Sequence, residues 1–290
     1  MSTQGSQPRQ FEVDGRLAGD ELGEGPAIVL MHGVTATRGQ VVHGSTVLAR
    51  EGLRMVRYDA RGHGDSEPAA QRTDYGSPQN VDDLELVLAE LTGGAPFILA
   101  GHSMGSHTAV GYALRTRDRL AGLVVIGPVY KGPVEDAEQR QRSVDHWDEL
   151  ADGLERGGVD GFLEVIDRQG LDPSWRETVL RFTRERMLKH RHPEAVADAM
   201  RGIARSKPFE SMQELEAIDV PSLVVASHDI ADPGHPYAVA EAYAERLPRS
   251  RLISEDEGES PLAWQGGMLS REILAFSREP EVAGRLAVSA

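Results

Sequence analysis

The chain of 290 residues has no cysteine, so disulfides, thiolate metal sites and a cysteine nucleophile are excluded, and nothing in it requires an oxidising compartment. Positive charge is in short supply: 31 Lys and Arg against 46 Asp and Glu leave a net charge of −15. Such a chain is repelled by a phosphate backbone or an anionic bilayer, so neither nucleic acid nor a membrane is an expected partner. Long hydrophobic runs are also missing. None approaches the roughly 20 apolar residues a transmembrane helix needs, and the first ten residues are polar, with no apolar core of a signal peptide. Fixed-period repeats and low-complexity tracts are absent too. These absences predict a soluble, cytoplasmic protein.

What is present is an alternation. Short apolar runs at Ala27–Met31, Met55–Tyr58, Phe97–Ala100, Leu123–Ile126 and Leu223–Ala226 are bounded by Gly, Pro or Asp, as buried parallel strands are. Helical patterns lie between them: around Val41–Arg50, from Ser77-Pro78 through Leu91, at Met104–Leu114, at Tyr237–Arg246 and at Met268–Phe276. Ser77 is the expected cap and Pro78 fits the first turn. Alternating strand and helix predicts an α/β fold with a doubly wound, mostly parallel sheet. Between about Val129 and Leu215 the alternation stops, and helical segments follow one another at Ser143–Arg156, Gly161–Ile166, Ser174–Lys189 and Pro193–Ala204. This predicts a core of residues 1–128 and 216–290 with a helical cap of 129–215 over the carboxyl ends of the strands, where open α/β sheets bind ligands. Trp147, Phe162, Trp175 and Phe182 would line a pocket there, or form the cap's own small core.

Gly101-His102-Ser103-Met104-Gly105 directly follows one predicted strand and opens a helix. Small residues around a serine at a sharp strand-to-helix turn permit a strained backbone that holds the hydroxyl above the sheet. His32-Gly33-Val34 follows the first of the runs, and Asp59-Ala60-Arg61-Gly62-His63-Gly64-Asp65-Ser66 follows the second. With these three motifs at three strand ends, residues 20 to 278 resemble the α/β-hydrolase fold family. The resemblance implies that Ser103 is a nucleophile and that the backbone N–H groups of Val34 and Met104 form an oxyanion hole. It gives His32 and His102 structural places, His32 pinning its loop and His102 packed within the turn. The family's acid follows a later strand, where Asp229 matches its usual position and Asp232 is the runner-up; either could equally belong to a turn before Pro233.

One part of that pattern is broken. A serine triad needs a histidine to take and return the proton, and the family places it after the last strand, here Arg251–Ser254. The loop that follows reads Glu255-Asp256-Glu257-Gly258-Glu259-Ser260-Pro261, with Glu259 where the histidine belongs, and no histidine lies beyond His235. Three repairs are open: His235 supplies the imidazole from the acid-bearing loop; Glu259 and Asp229 share a proton and act directly, as in a lyase or isomerase; or the site keeps a binding pocket without turnover. His107 is expected on the packing face of its helix. His190 and His192, two apart, do not share a helix face and read as a solvated basic helix end rather than a metal site. The expectation is a cofactor-free, metal-free enzyme acting on a small, fairly apolar ester, lactone or related acyl compound, through Ser103, Asp229, Glu259 and His235.

Overall fold

The computed structural model describes residues 7–132, 137–228 and 232–288. Its strands are β1 (Arg9–Val13), β2 (Leu17–Leu22), β3 (Ala27–Met31), β4 (Arg54–Tyr58), β5 (Phe97–His102), β6 (Leu120–Ile126), β7 (Ser222–Val225) and β8 (Ser250–Ile253). They form one sheet in the order β1-β2-β4-β3-β5-β6-β7-β8. From β4 to β8 along that order every pairing is parallel, whereas β1 with β2 and β2 with β4 are antiparallel. The helices are α1 (Val47–Arg50), α2 (Ser77–Leu91), α3 (Met104–Arg115), α4 (Ala137–Arg168), α5 (Arg176–Met187), α6 (Pro193–Arg205), α7 (Tyr237–Arg246), α8 (Gly266–Ser277) and α9 (Pro280–Leu286).

Each central strand is apolar throughout because successive side chains enter different cores. In β3, Val29 and Met31 join the layer under α2, α3 and α7, against Leu84, Ala109 and Tyr243. Ile28 and Leu30 join the opposite layer under α1, α8 and α9, against Leu48, Leu269 and Val282. Burying one such Leu or Ile contributes about 2 kcal/mol, so a one-residue slip of a central strand would cost far more than any single turn could offset. The parallel α/β sheet expected from the apolar runs is the sheet observed.

Several local expectations are corrected. The helix expected over Val41–Arg50 contracts to α1, because His43 (φ 44°) and Gly44 (φ 74°) take left-handed conformations that interrupt it. Gly76, not Ser77, occupies the position before α2, and the Ser77 N–H is bonded by Ser206 Oγ at 2.6 Å. The two helical segments expected before residue 168 are joined as α4, which doubles back at Gly158 (φ 59°, ψ −148°). A Cβ at Gly161 would lie 2.3 Å from the Gly153 carbonyl oxygen, although eight residues of straight helix would span about 12 Å. The β1–β2 hairpin and α9 were not expected at all. The hairpin's connection carries positive φ at Asp14 (54°) and Gly15 (64°), so the Asp-Gly pair was the signal available.

The three helices between β6 and β7 rest on the strand ends: Leu150, Phe162, Met187 and Val196 pack in one cluster with Val34 and Met104. Among the described residues no helix is long and apolar enough to cross a membrane, and no group of three or more His, Asp and Glu is placed to hold a metal ion.

Candidate active site

The turn between β5 and α3 is built on glycine at the positions where close approach demands it. A Cβ at Gly101 would sit 2.0 Å from the Gly105 carbonyl oxygen, and one at Gly105 would sit 2.2 Å from that of Met31. Between them Ser103 is held at φ 52° and ψ −113°, a region costly for a residue with a side chain. Its N–H donates to Ile126 O at 2.9 Å, and its carbonyl accepts from the N–H groups of Ser106 and His107 and from Ser106 Oγ. The hairpin-like turn is therefore tied down on both sides, while the Ser103 side chain is left at the head of α3.

The loop after β3 abuts this turn. A Cβ on Gly33 would lie 3.3 Å from Ser103 Cβ and 3.2 Å from His102 Nδ1. His32 holds the loop: its Nε2 accepts the Ala60 N–H at 2.9 Å and its Nδ1 faces Gly33 O at 2.8 Å. His63 adds a second tie, with Nε2 2.8 Å from the carbonyl oxygen of Val34. The segment Asp59–Ser66 is thus a brace. Asp59 pairs with Arg38 and accepts the Arg38 N–H at 2.7 Å, Ser66 Oγ donates to Asp59 O at 2.7 Å, and Arg61 forks onto Asp83 at 2.7 and 2.8 Å. A bidentate Arg–carboxylate pair of this kind sets orientation as well as energy.

His190 departs from its expectation as a solvated helix end. It is buried, its Nδ1 accepts the Gly64 N–H at 3.0 Å, its Nε2 lies 3.2 Å from Thr35 O, and its ring meets His63 edge-on at 5.5 Å. Burial, then the neighbouring His63, lower its pKa to about 3. His192 stays near the surface, 3.5 Å from Glu194 and 3.8 Å from Glu67. His107 is buried on the packing side of α3, where Nε2 accepts from the N–H groups of Val129 and Tyr130 at 3.3 and 3.2 Å; burial, then His235, lower it to about 3.

Beside His102 lies a pair that proximity in sequence alone did not arrange. His235 Nδ1 is 2.8 Å from Asp232 Oδ1, and both side chains are largely sheltered, 18% and 12% exposed. The His235 ring stands 4.9 Å from that of His102 and against Gly127, where a Cβ would be 3.1 Å from His235 Cδ2. Burial raises the Asp232 pKa, but the charge and hydrogen bond of His235, followed by His102 and Arg186, outweigh it and hold the carboxyl below its usual value. Burial, then His235, push His102 down to about 3, and His102 Nε2 is a buried atom without a hydrogen-bond partner among the described residues. No hydrogen bond joins Ser103 to His235 among the described residues.

Asp229 lies outside the described residues. Glu259 is exposed on a turn closed by its own N–H to Asp256 O at 3.1 Å, so it is not the loop's buried carboxylate. That place belongs to Glu255, which the sequence reading did not single out. Its Oε1 accepts from Ser227 Oγ (2.9 Å) and the His228 N–H (2.6 Å), and its Oε2 accepts from the Leu262 N–H (2.9 Å), tying the segments after β7 and β8 together. Phe162 and Trp147 belong to the core between the inserted helices. Trp175 and Phe182 instead reach Trp264, with ring centres 6.3 and 6.4 Å apart.

A family model described as serine aminopeptidase, S33, matches residues 25–152. A dihydrolipoyllysine-residue acetyltransferase component of an acetoin cleaving system from Pseudomonas putida is 27% identical over 95% of this chain and 70% of its own length. Two further curated relatives are matched over 32% and 30% of their lengths. A thermophilic esterase from Thermogutta terrifontis superposes with a TM-score of 0.76 at 23% identity, covering 94% of this chain and 98% of that one. An enol-lactonase from Burkholderia xenovorans LB400 gives 0.74 at 21% identity, covering 93% and 100%. The sheet order, the serine turn between β5 and α3 and these structural similarities agree that the chain has the α/β-hydrolase fold.

Proposed function

We propose that the protein is a serine hydrolase of small esters, lactones or related acyl compounds, with Ser103 as nucleophile and His235 as its base. The observation that carries this reading is the sheltered His235–Asp232 hydrogen bond beside the serine turn. An ionised Asp232 accepting the Nδ1 proton leaves Nε2 as the basic nitrogen, the tautomer a triad requires. Asp232, the runner-up in sequence, is in this reading the orienting acid in place of Asp229. Ser103 Oγ attacks the acyl carbon as His235 Nε2 takes its proton. The oxyanion is received by the N–H groups of Val34 and Met104, and the imidazolium returns the proton to the leaving oxygen. Water, activated in the same way, releases the acid. Glu259 has no step here, and the helices 129–215 act as the cap that shapes the substrate space, since they pack directly on Val34 and Met104.

The missing Ser103–His235 hydrogen bond favours one second reading, a pocket that binds without turnover, although catalytic hydrogen bonds are often loose before substrate arrives. Intact-protein mass spectrometry after treatment with a small fluorophosphonate separates the two. A single adduct is expected, lost in Ser103→Ala and formed about 10²–10⁴-fold more slowly in His235→Asn. No adduct on the folded protein would leave the silent pocket, and labelling at an unchanged rate in His235→Asn would remove that histidine from the mechanism.

A further inference from the structure

Thr183, Arg186 and Met187 lie on the face of α5 that turns toward the core: Thr183 and Met187 are buried, and Met187 packs with Val34 and Met104. One turn earlier Phe182 meets Trp264, and just beyond the helix His190 bonds the loop at Thr35 and Gly64. The Arg186 charge acts on His43, His102, His190 and Asp232, so the side chain lies in the neighbourhood of the serine turn and the His235–Asp232 pair. Among the described residues its Nε is a buried atom with no hydrogen-bond partner, and the guanidinium's one hydrogen bond runs from Nη2 to Thr183 Oγ1 at 3.3 Å. The buried arginines are treated differently from this partly buried one: Arg57 bonds Asp20 at 2.6 Å and Arg61 forks onto Asp83. Among the described residues no carboxylate is within ion-pair distance of Arg186, yet burial works against its charge, opposed by the field of Asp232. A sheltered guanidinium with vacant donors is costly unless an anion completes it.

We propose that Arg186 receives a carboxylate of the substrate, so that the compound turned over at Ser103 is an ester or lactone bearing a free carboxylate rather than a purely apolar one. A planar fork with vacant donors matches the two oxygens of a carboxylate. The inference rests on the reading of Ser103 as the reacting centre.

The test is calorimetric titration of the full chain carrying Ser103→Ala, so that bound esters persist, with monomethyl glutarate and with dimethyl glutarate, which differ by one negative charge. The monoester is expected to bind at least about 10-fold tighter, and adding Arg186→Met is expected to erase the difference. Arg186→Lys, which keeps the stem and the charge but not the fork, is expected to retain only part of the preference, and it decides the matter if Arg186→Met does not fold. Equal binding of the two esters, or a full anion preference in either variant, overturns the proposal. Turnover assays with Ser103 intact tell the two readings apart. Arg186-dependent binding without turnover of either ester removes the hydrolase reading alone; hydrolysis of the neutral diester with no anion preference in binding removes the carboxylate site alone.

Discussion

Between Met31 and Gly105 the backbone passes so close that one methyl group decides the fit. A Cβ at Gly105 would meet the Met31 carbonyl oxygen at 2.2 Å, its carbon at 2.5 Å and the Met31 Cβ at 2.8 Å. None of these is the free end of a flexible side chain, so Gly105→Ala must displace β3 or α3. The expected cost is about 2–3 kcal/mol, read as a lower urea midpoint at an unchanged slope, and a midpoint within error of the parent would contradict the close packing. This residue-level constraint was legible in the spacing Gly101-His102-Ser103-Met104-Gly105, because strain at a serine turn leaves a local signature of small residues. The acid–base partner left a weaker one. Asp232 and His235 are three apart in sequence, yet their worth depends on Gly127, just past β6, and His102, at the end of β5, which no local pattern places beside them.

At the scale of elements, the inserted helices are latched to the core by a histidine. His190, after α5, receives the N–H of Gly64 and reaches the carbonyl of Thr35, 126 and 155 residues away in sequence. His190→Ala strands the buried Gly64 N–H, at a cost of about 1–3 kcal/mol, and releases the partly buried Thr35 carbonyl. The expected outcome is faster amide hydrogen exchange across α5 and α6, with β3, β5 and β6 still protected; unchanged exchange in α5 and α6 would show that the apolar cluster alone holds them. The spacing of His190 and His192 correctly excluded a shared helix face, but exposure cannot be read from spacing when the partner lies in another element. The central strands were easier. They are buried on both faces and announce themselves as apolar runs, whereas β1 has one exposed face and lies at the sheet edge, so only its Asp14-Gly15 turn marked it.

For the molecule as a whole, the buried histidines set the acid limit of stability. His102, His107 and His190 have their pKa values lowered to about 3, burial being the largest cause in each. In the unfolded chain a histidine titrates near about 6.5. Between those values the unfolded state binds more protons than the folded one, so stability is complete above the unfolded value and drains away as pH falls toward 3. Each such group adds about 1.4 kcal/mol per pH unit to the slope within that window. Asp232, held below its usual value, contributes in the same direction only at still lower pH, as the pH falls through its folded pKa. The melting temperature is therefore expected to be level above about pH 7 and to drop steadily below about 6.5; a level profile down to pH 4.5 would mean these histidines are not buried neutral.

The sequence by itself determined the α/β class, the order of the central strands and helices, and the serine turn, because each rests on periodicity or on local backbone geometry. It also showed that no histidine follows the last strand, the final one in the chain being His235. Only the tertiary structure decided which carboxylate of that loop is buried, since Glu255 is selected by donors from Ser227, His228 and Leu262. The placement of the His235–Asp232 pair beside the turn, and the burial of Arg186 Nε without a hydrogen-bond partner among the described residues, were likewise settled by packing between distant segments. Burial and charge pairing are properties of the neighbours that a fold brings together, and a linear pattern carries little of that information.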